Sequence, residues 1–204
     1  MELSSALLLT RCSPRCEGER RTMALNVFCN GFPKSGSHAL QKAVELLGAP
    51  AVRRHHTAKD GIPADATHHV LIVRDPRDVV VSWLRFEHKA VTPGTFLSAF
   101  RKFQSKSLIE EMAEFEPWRD HAGTHTVRYE DLIADDSAMR DLAVHLGVPY
   151  IDGAWTELEG ENKDKGLTRT WNKIKSDHRL VWTKEVIEVW YAEGGGELLT
   201  RWGY

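Results

Sequence analysis

Cysteine is scarce in this 204-residue chain, with three in all, and only Cys12 and Cys16 lie near one another. One CxxxC pair with no second pair falls short of the four ligands of a structural zinc site. Cys29 sits in an apolar run and reads as a small buried hydrophobe. No run approaches the roughly 20 apolar residues of a membrane-spanning helix. An excess of one charge is missing too: 27 Lys and Arg stand against 29 Asp and Glu, a net of −2 with histidines neutral. That balance excludes the broad positive footprint of a duplex binder, so no nucleic-acid partner is expected, but it leaves room for a local anion pocket. Internal repeats, low-complexity segments and a spaced Asp/Glu set that would compel magnesium are also lacking, so no metal is expected. Leu7-Leu8-Leu9 is too short and too poorly led by basic residues for a secretion signal. Residues 1–22 are expected to be a disordered or dispensable arm, and 23–204 one compact, cytoplasmic domain.

What the chain does contain is ordinary for a globular domain: 42% hydrophobic and 27% charged residues. Ala24 to Cys29 is a short apolar run with β-branched and aromatic members, which predicts a buried strand broken by Asn30-Gly31. Leu40, Val44 and Leu47 then mark one face of a helix closed by Gly48. His68 to Val73 predicts a second strand. Asp75-Pro76 opens a helix, since Asp can cap and Pro suits the first helical position. A longer helical stretch follows Thr95, with Phe96, Phe100 and Phe103 on one stripe. Thr124 to Tyr129 is a third strand, Ala134 to Leu146 a helix, and Ile151 to Lys175 a polar aperiodic region. Ser176 or Asp177 caps a last helix to about Ala192, and Gly194-Gly195-Gly196 interrupts the chain before Leu198, Leu199 and Trp202. Apolar strands separated by helices imply a three-layer αβα sandwich on a mainly parallel sheet, a P-loop-like nucleotide-binding fold. Ligands of such sheets collect beyond the carboxyl ends of the strands.

The loop after the first strand, Gly31-Phe32-Pro33-Lys34-Ser35-Gly36-Ser37-His38, outlines a phosphate cradle. Glycines permit a tight turn, and the first amides of the helix attract an anion. The nucleotide-hydrolase loop GxxxxGK[ST] is not met, because Lys34 precedes Gly36.

PKSGS in this loop and VRDPRDVVVSW after the second strand together resemble the two nucleotide signatures of the sulfotransferase family, PKSGTTW and RNPKDVxVSxxxF. Tyr129-Glu130-Asp131-Leu132 is similar to that family's YED[LM], and Lys165 to Trp171 to its RKGxxGDW. The resemblance implies 3′-phosphoadenosine 5′-phosphosulfate (PAPS) as sulfuryl donor. It places Lys34, Ser35, Gly36, Ser37 and His38 around the 5′-phosphosulfate, and Arg74 and Ser82 on the 3′-phosphate. Tyr129 falls near the nucleotide, and Lys165 and Gly166 in a loop over the 3′-phosphate. Departures are specific. Asp164 replaces an arginine, Arg169 a glycine, and Ala39 stands where the family often stacks a tryptophan on adenine. A salt bridge of Arg74 with Asp75 or Asp78 is the rival use of that arginine.

Sulfuryl transfer to a hydroxyl needs charge neutralisation at the leaving phosphate, a base and in-line placement. The resemblance gives the first task to Lys34. A family base lies in a KTH-like segment, which Arg54-His55-His56 occupies; His56 falls on the histidine position and His55 is the alternative. Trp83 and Phe86 read as core residues, with one of them a candidate border of the acceptor pocket. The acceptor is expected to be a small-molecule or carbohydrate hydroxyl. The chain is shorter than familiar members of the family, which implies a more open acceptor site, or one completed in a homodimer. A P-loop small-metabolite kinase using ATP, or a non-catalytic nucleotide-binding relative, are the alternative functions.

Overall fold

A strand that is buried along most of its length is covered on both faces. In a computed structural model, which describes residues 25–88, 92–102, 105–164 and 177–204, two strands meet that condition and lie at the centre of the sheet. These are β1 (Val27–Gly31) and β3 (His68–Val73), flanked by β2 (Ala51–Arg53) and β4 (Thr124–Arg128) in the order β2-β1-β3-β4. All three pairings are parallel. Alternation divides their side chains between two cores. Val27, Cys29, Val70 and Ile72 enter one, with α1 (Ser37–Leu46), α7 (Ser137–Leu146) and α8 (Ala154–Asp164). Phe28, Leu71 and Val73 enter the other, with α2 (Pro76–His88), α3 (Pro93–Lys102), α4 (Ser105–Ala113), α5 (Glu116–Asp120), α9 (Lys184–Ala192) and α10 (Gly195–Trp202). Between β4 and α7 lies the short α6 (Tyr129–Ala134). The layers are helix, parallel sheet, helix, as expected.

Several boundaries differ from the sequence reading. β1 does not break at Asn30-Gly31 but pairs through Gly31 opposite Ile72 of β3. Asn30 is fully buried there, and its side chain accepts from the His56 amide and donates to the His56 carbonyl, both at 2.9 Å. β2 was not expected; it is three residues long and carries Arg53, too short for a period to show. The helical stretch after Thr95 is two helices, α3 and α4, and Phe103 lies outside the described residues. Ala134 to Leu146 is divided because the Asp135 carboxylate accepts from the Ser137 amide and restarts the helix. The region after Ile151 contains α8, which buries Ala154 and Leu158 among the residues whose side chains are described. Asp177 caps a 3-10 turn, His178–Leu180, and α9 starts at Lys184. The glycine run ends only α9, for α10 begins at Gly195. Cys12, Cys16 and the whole arm before Met23 fall outside the described residues.

Candidate active site at the carboxyl ends of β1 and β3

The chain leaves β1 through α1 to β2 on one side, and then crosses to β3 on the other. The crevice above β1 and β3 is therefore the topological switch point, where such sheets bind ligands. A cleft of about 240 Å³ lies there, bordered by Lys34, Gly36, Ser37, His38, Arg53, His55, Arg74, Ser82, Phe86 and Tyr129, among others.

The loop that supplies Lys34 is held under strain. Phe32 is buried as its anchor, and the Ser35 amide donates to the Phe32 carbonyl at 3.0 Å. This turn puts Lys34 at φ 74, left-handed backbone that a non-glycine residue adopts at a cost. Gly36 follows at φ 108, and a Cβ there would stand 2.4 Å from the Tyr129 ring. Beyond it, the first amides of α1 have no intrahelical partners and the helix dipole favours an anion beside them. Ser35 is buried with its hydroxyl unpaired.

Arg74 leaves the end of β3 and lies over the Tyr129 ring at 4.5 Å, with its Nη1 donating to the Lys34 carbonyl at 3.3 Å. The neighbouring carboxylates are engaged elsewhere. Asp75 receives Arg77 through both oxygens and caps α2 by accepting from the Arg77 amide, and Asp78 accepts from His178. The rival use of Arg74 in a salt bridge is absent from these pairs, and its buried Nε has no partner. Such an orphaned guanidinium donor suits an oxyanion. Ser82, two turns along α2, borders the same cleft.

The cations here repel one another. Burial, and next the charge of Arg74, lower the Lys34 pKa, while Glu87 partly restores it. Lys34 lies over Phe86, its ammonium 4.3 Å from the ring centre. Two histidines are fixed in the same tautomer, protonated on Nδ1, with Nε2 engaged in one ring and open in the other. Arg53 donates to His38 Nε2, and a guanidinium can only donate, so neutral His38 carries its proton on Nδ1. His55 Nδ1 stands 2.7 Å from the Gly31 carbonyl and must donate to it, which leaves Nε2 with the lone pair. Burial lowers both pKa values, and Arg53 lowers both further.

The structure thus brings Lys34, Gly36, Ser37, His38, Arg74, Ser82, Tyr129 and His55 to one cleft, with Ser35 beneath the loop. His56 is not among the residues that border it. Its ring meets Phe28 edge-on at 5.2 Å, with Nδ1 buried and unpaired. Lys165 and Gly166 lie outside the described residues, as do Arg169 and Trp171. Arg53 was missed by the sequence reading; shifting the KTH-like register by one residue puts it on the lysine position and His55 on the histidine. Trp83 and Phe86 both border the cleft, and Phe86 is exposed rather than core.

The fold is similar to that of the mouse sulfotransferase SULT7A1, solved in complex with PAP, with a TM-score of 0.66 and 15% identity over 87% of this chain and 84% of that one. None of the curated proteins matches the sequence. The family model for the sulfotransferase domain matches residues 50–178, a span from the start of β2 to the turn before α9. Because that span exceeds half of the sequence, the chain belongs to the sulfotransferase domain family.

Proposed function

We propose that this enzyme moves the sulfuryl group of PAPS in line to an acceptor hydroxyl, with His55 as base and Lys34 stabilising the leaving phosphate. The observation that carries this reading is that Arg74 and Ser82 face the same cleft as Lys34. A nucleotide phosphorylated at both ends requires two anion sites within one crevice. The loop of Ser35, Gly36, Ser37 and His38 suits the 5′ end, and Arg74 with Ser82 the 3′ end. A lysine poised for a single γ-phosphate does not account for the second site, so the kinase alternative is the weaker one.

In the chemical step the sulfur–oxygen bond to the 5′-phosphate breaks as a new one forms to the acceptor oxygen. His55 Nε2 takes the hydroxyl proton, and Lys34 donates to the oxygen on which negative charge develops. His55 is preferred to His56 because its free lone pair belongs to a ring at the cleft, whereas His56 is turned to Phe28. With Nε2 occupied by Arg53, His38 serves as a neutral Nδ1–H donor and not as the base.

The reading is tested by calorimetric titration with 3′-phosphoadenosine 5′-phosphate (PAP) and, separately, with Mg-ATP. PAP is expected to bind far more tightly, and Arg74→Ala to lose that advantage. Preferential binding of Mg-ATP would reject the assignment.

A further inference from the structure

We propose that Tyr204 is a positioning residue for the 3′-phosphate site, acting through Glu130 on the start of α2, next to Arg74. This inference rests on the function proposed above. Tyr204 follows α10 and is not among the residues that border the cleft. Gly203, at φ 80, ends the helix, and the Tyr204 amide donates to the Leu199 carbonyl at 2.9 Å, which fixes the direction of the side chain. Its ring lies under the Arg128 guanidinium at 4.3 Å, and its hydroxyl donates to Glu130 Oε2 at 2.6 Å. The other oxygen of that carboxylate, Oε1, accepts from the Asp75 amide at 3.1 Å.

Asp75 is the capping residue of α2 and the immediate neighbour of Arg74. One carboxylate therefore ties three parts of the chain together: the end of α10, the start of α6 and the start of α2. Glu130 does not cap its own helix. It sits at another helix's positive end, where its charge is favourable. The residue before it, Tyr129, carries the Arg74 guanidinium on its ring. Arg74 is thus held from two sides by adjacent residues of α6, through its side chain by Tyr129 and through the next peptide by Glu130. Tyr204 saturates the outer oxygen of Glu130. Without that bond the carboxylate can turn away from the Asp75 amide toward Arg128 or solvent. Burial, and then the bond to Glu130, raise the pKa of Tyr204, which keeps the phenol a donor at working pH.

The test is Tyr204→Phe, which keeps the ring under Arg128 and removes only the hydroxyl, with Glu130→Gln as a second variant. Binding of PAP is compared with binding of adenosine 5′-monophosphate, which lacks the 3′-phosphate. PAP affinity is expected to fall about threefold to tenfold in both variants, and the monophosphate affinity to stay at its wild-type value. In an Arg74→Ala background, Tyr204→Phe is expected to have no further effect on PAP. Equal losses for both nucleotides, or additivity with Arg74→Ala, would show a merely structural role and overturn the proposal. A wild-type preference for PAP that survives in both variants overturns this inference alone. Wild-type protein indifferent to the 3′-phosphate overturns the proposed function and the inference with it.

Discussion

Replacing His55 with alanine separates the proposed chemistry from every structural use of the loop. The ring makes one hydrogen bond, to the Gly31 carbonyl, and a bond of that kind contributes about 0.5–1.5 kcal/mol to stability. Loss of a general base costs about 10²–10⁴ in rate, equivalent to roughly 2.7–5.4 kcal/mol of barrier. The catalytic loss therefore exceeds the structural one, and the two can be read apart by single-turnover kinetics and thermal melting. His56→Ala has the opposite profile. Its amide and carbonyl bonds to Asn30 belong to the main chain and survive the substitution. What disappears is the edge contact with Phe28, about 0.5–1.5 kcal/mol, so the protein melts earlier while kcat stays close to wild type. The pH profile supplies a third readout. A histidine of ordinary pKa 6.5 is about three-quarters neutral at pH 7, and burial lowers His55 below that value. The acid limb of kcat/KM should consequently fall below pH 6.5 and vanish in His55→Ala. Near-wild-type turnover in His55→Ala, with turnover abolished in His56→Ala, would refute the reasoning from tautomer and cleft.

Two further substitutions test the frame around the site. Gly36→Ala places a Cβ 2.4 Å from Tyr129 at φ 108, so about 1–3 kcal/mol of backbone strain adds to displacement of the ring that carries Arg74. Loss of both PAP binding and thermal stability is expected, and a neutral variant would contradict the close approach. At the amino ends of β3 and β4, His145 stacks on His125 at 4.8 Å and meets His68 edge-on at 5.4 Å. Burial, and next His125, push its pKa down from 6.5 to about 4. A depressed histidine binds its proton more weakly when folded, so its stability is full above pH 6.5 and is lost as pH falls toward 4. With allowance for the solvent that reaches the ring, that loss is about 1–2 kcal/mol. Thermal melts at pH 7.5 and 5 should differ less in His145→Phe than in wild type; an unchanged difference would place the sensitivity elsewhere.

The parts of the site that could be read from the sequence are those fixed by a strand end or a helix repeat. The resemblance of VRDPRDVVVSW to a family signature named Arg74 and Ser82, and a strand end followed by two turns of helix is a regular enough frame to carry both to one cleft. The histidine could not be read in this way. His55 and His56 are adjacent in an extended segment, where successive side chains take opposite sides, and a one-residue change of register exchanges them. What sets the register is the pairing of Cys29 with Arg53 in β2, together with the hold of Asn30 on the His56 main chain. Three residues at a sheet edge leave no periodic trace, so neither β2 nor the role of Arg53 was visible. The same limit hid α8, whose sequence AWTELEGENKD has too few apolar residues to show a period among its charges. The brace on Glu130 was hidden for another reason. Its partners, Asp75 and Tyr204, are 55 and 74 residues away, and no local pattern connects them.

A chain with a net charge of −2 has gathered Lys34, Arg53 and Arg74 around one cleft, and this has consequences for the base as well as for the donor. The same positive charge that suits a polyanionic nucleotide opposes protonation of any nearby histidine. His38 and His55 are both depressed, with Arg53 a contributor at each. In the free protein this keeps His55 neutral, ready to accept a proton, but also makes it a weaker base. A bound nucleotide brings several negative charges against those cations and offsets their effect on the imidazole. Under the proposed function, His55 therefore gains basicity when the donor occupies the cleft, at the stage when the acceptor hydroxyl must lose its proton. The cations hold the donor, and the donor in turn relieves the charge that weakens the base.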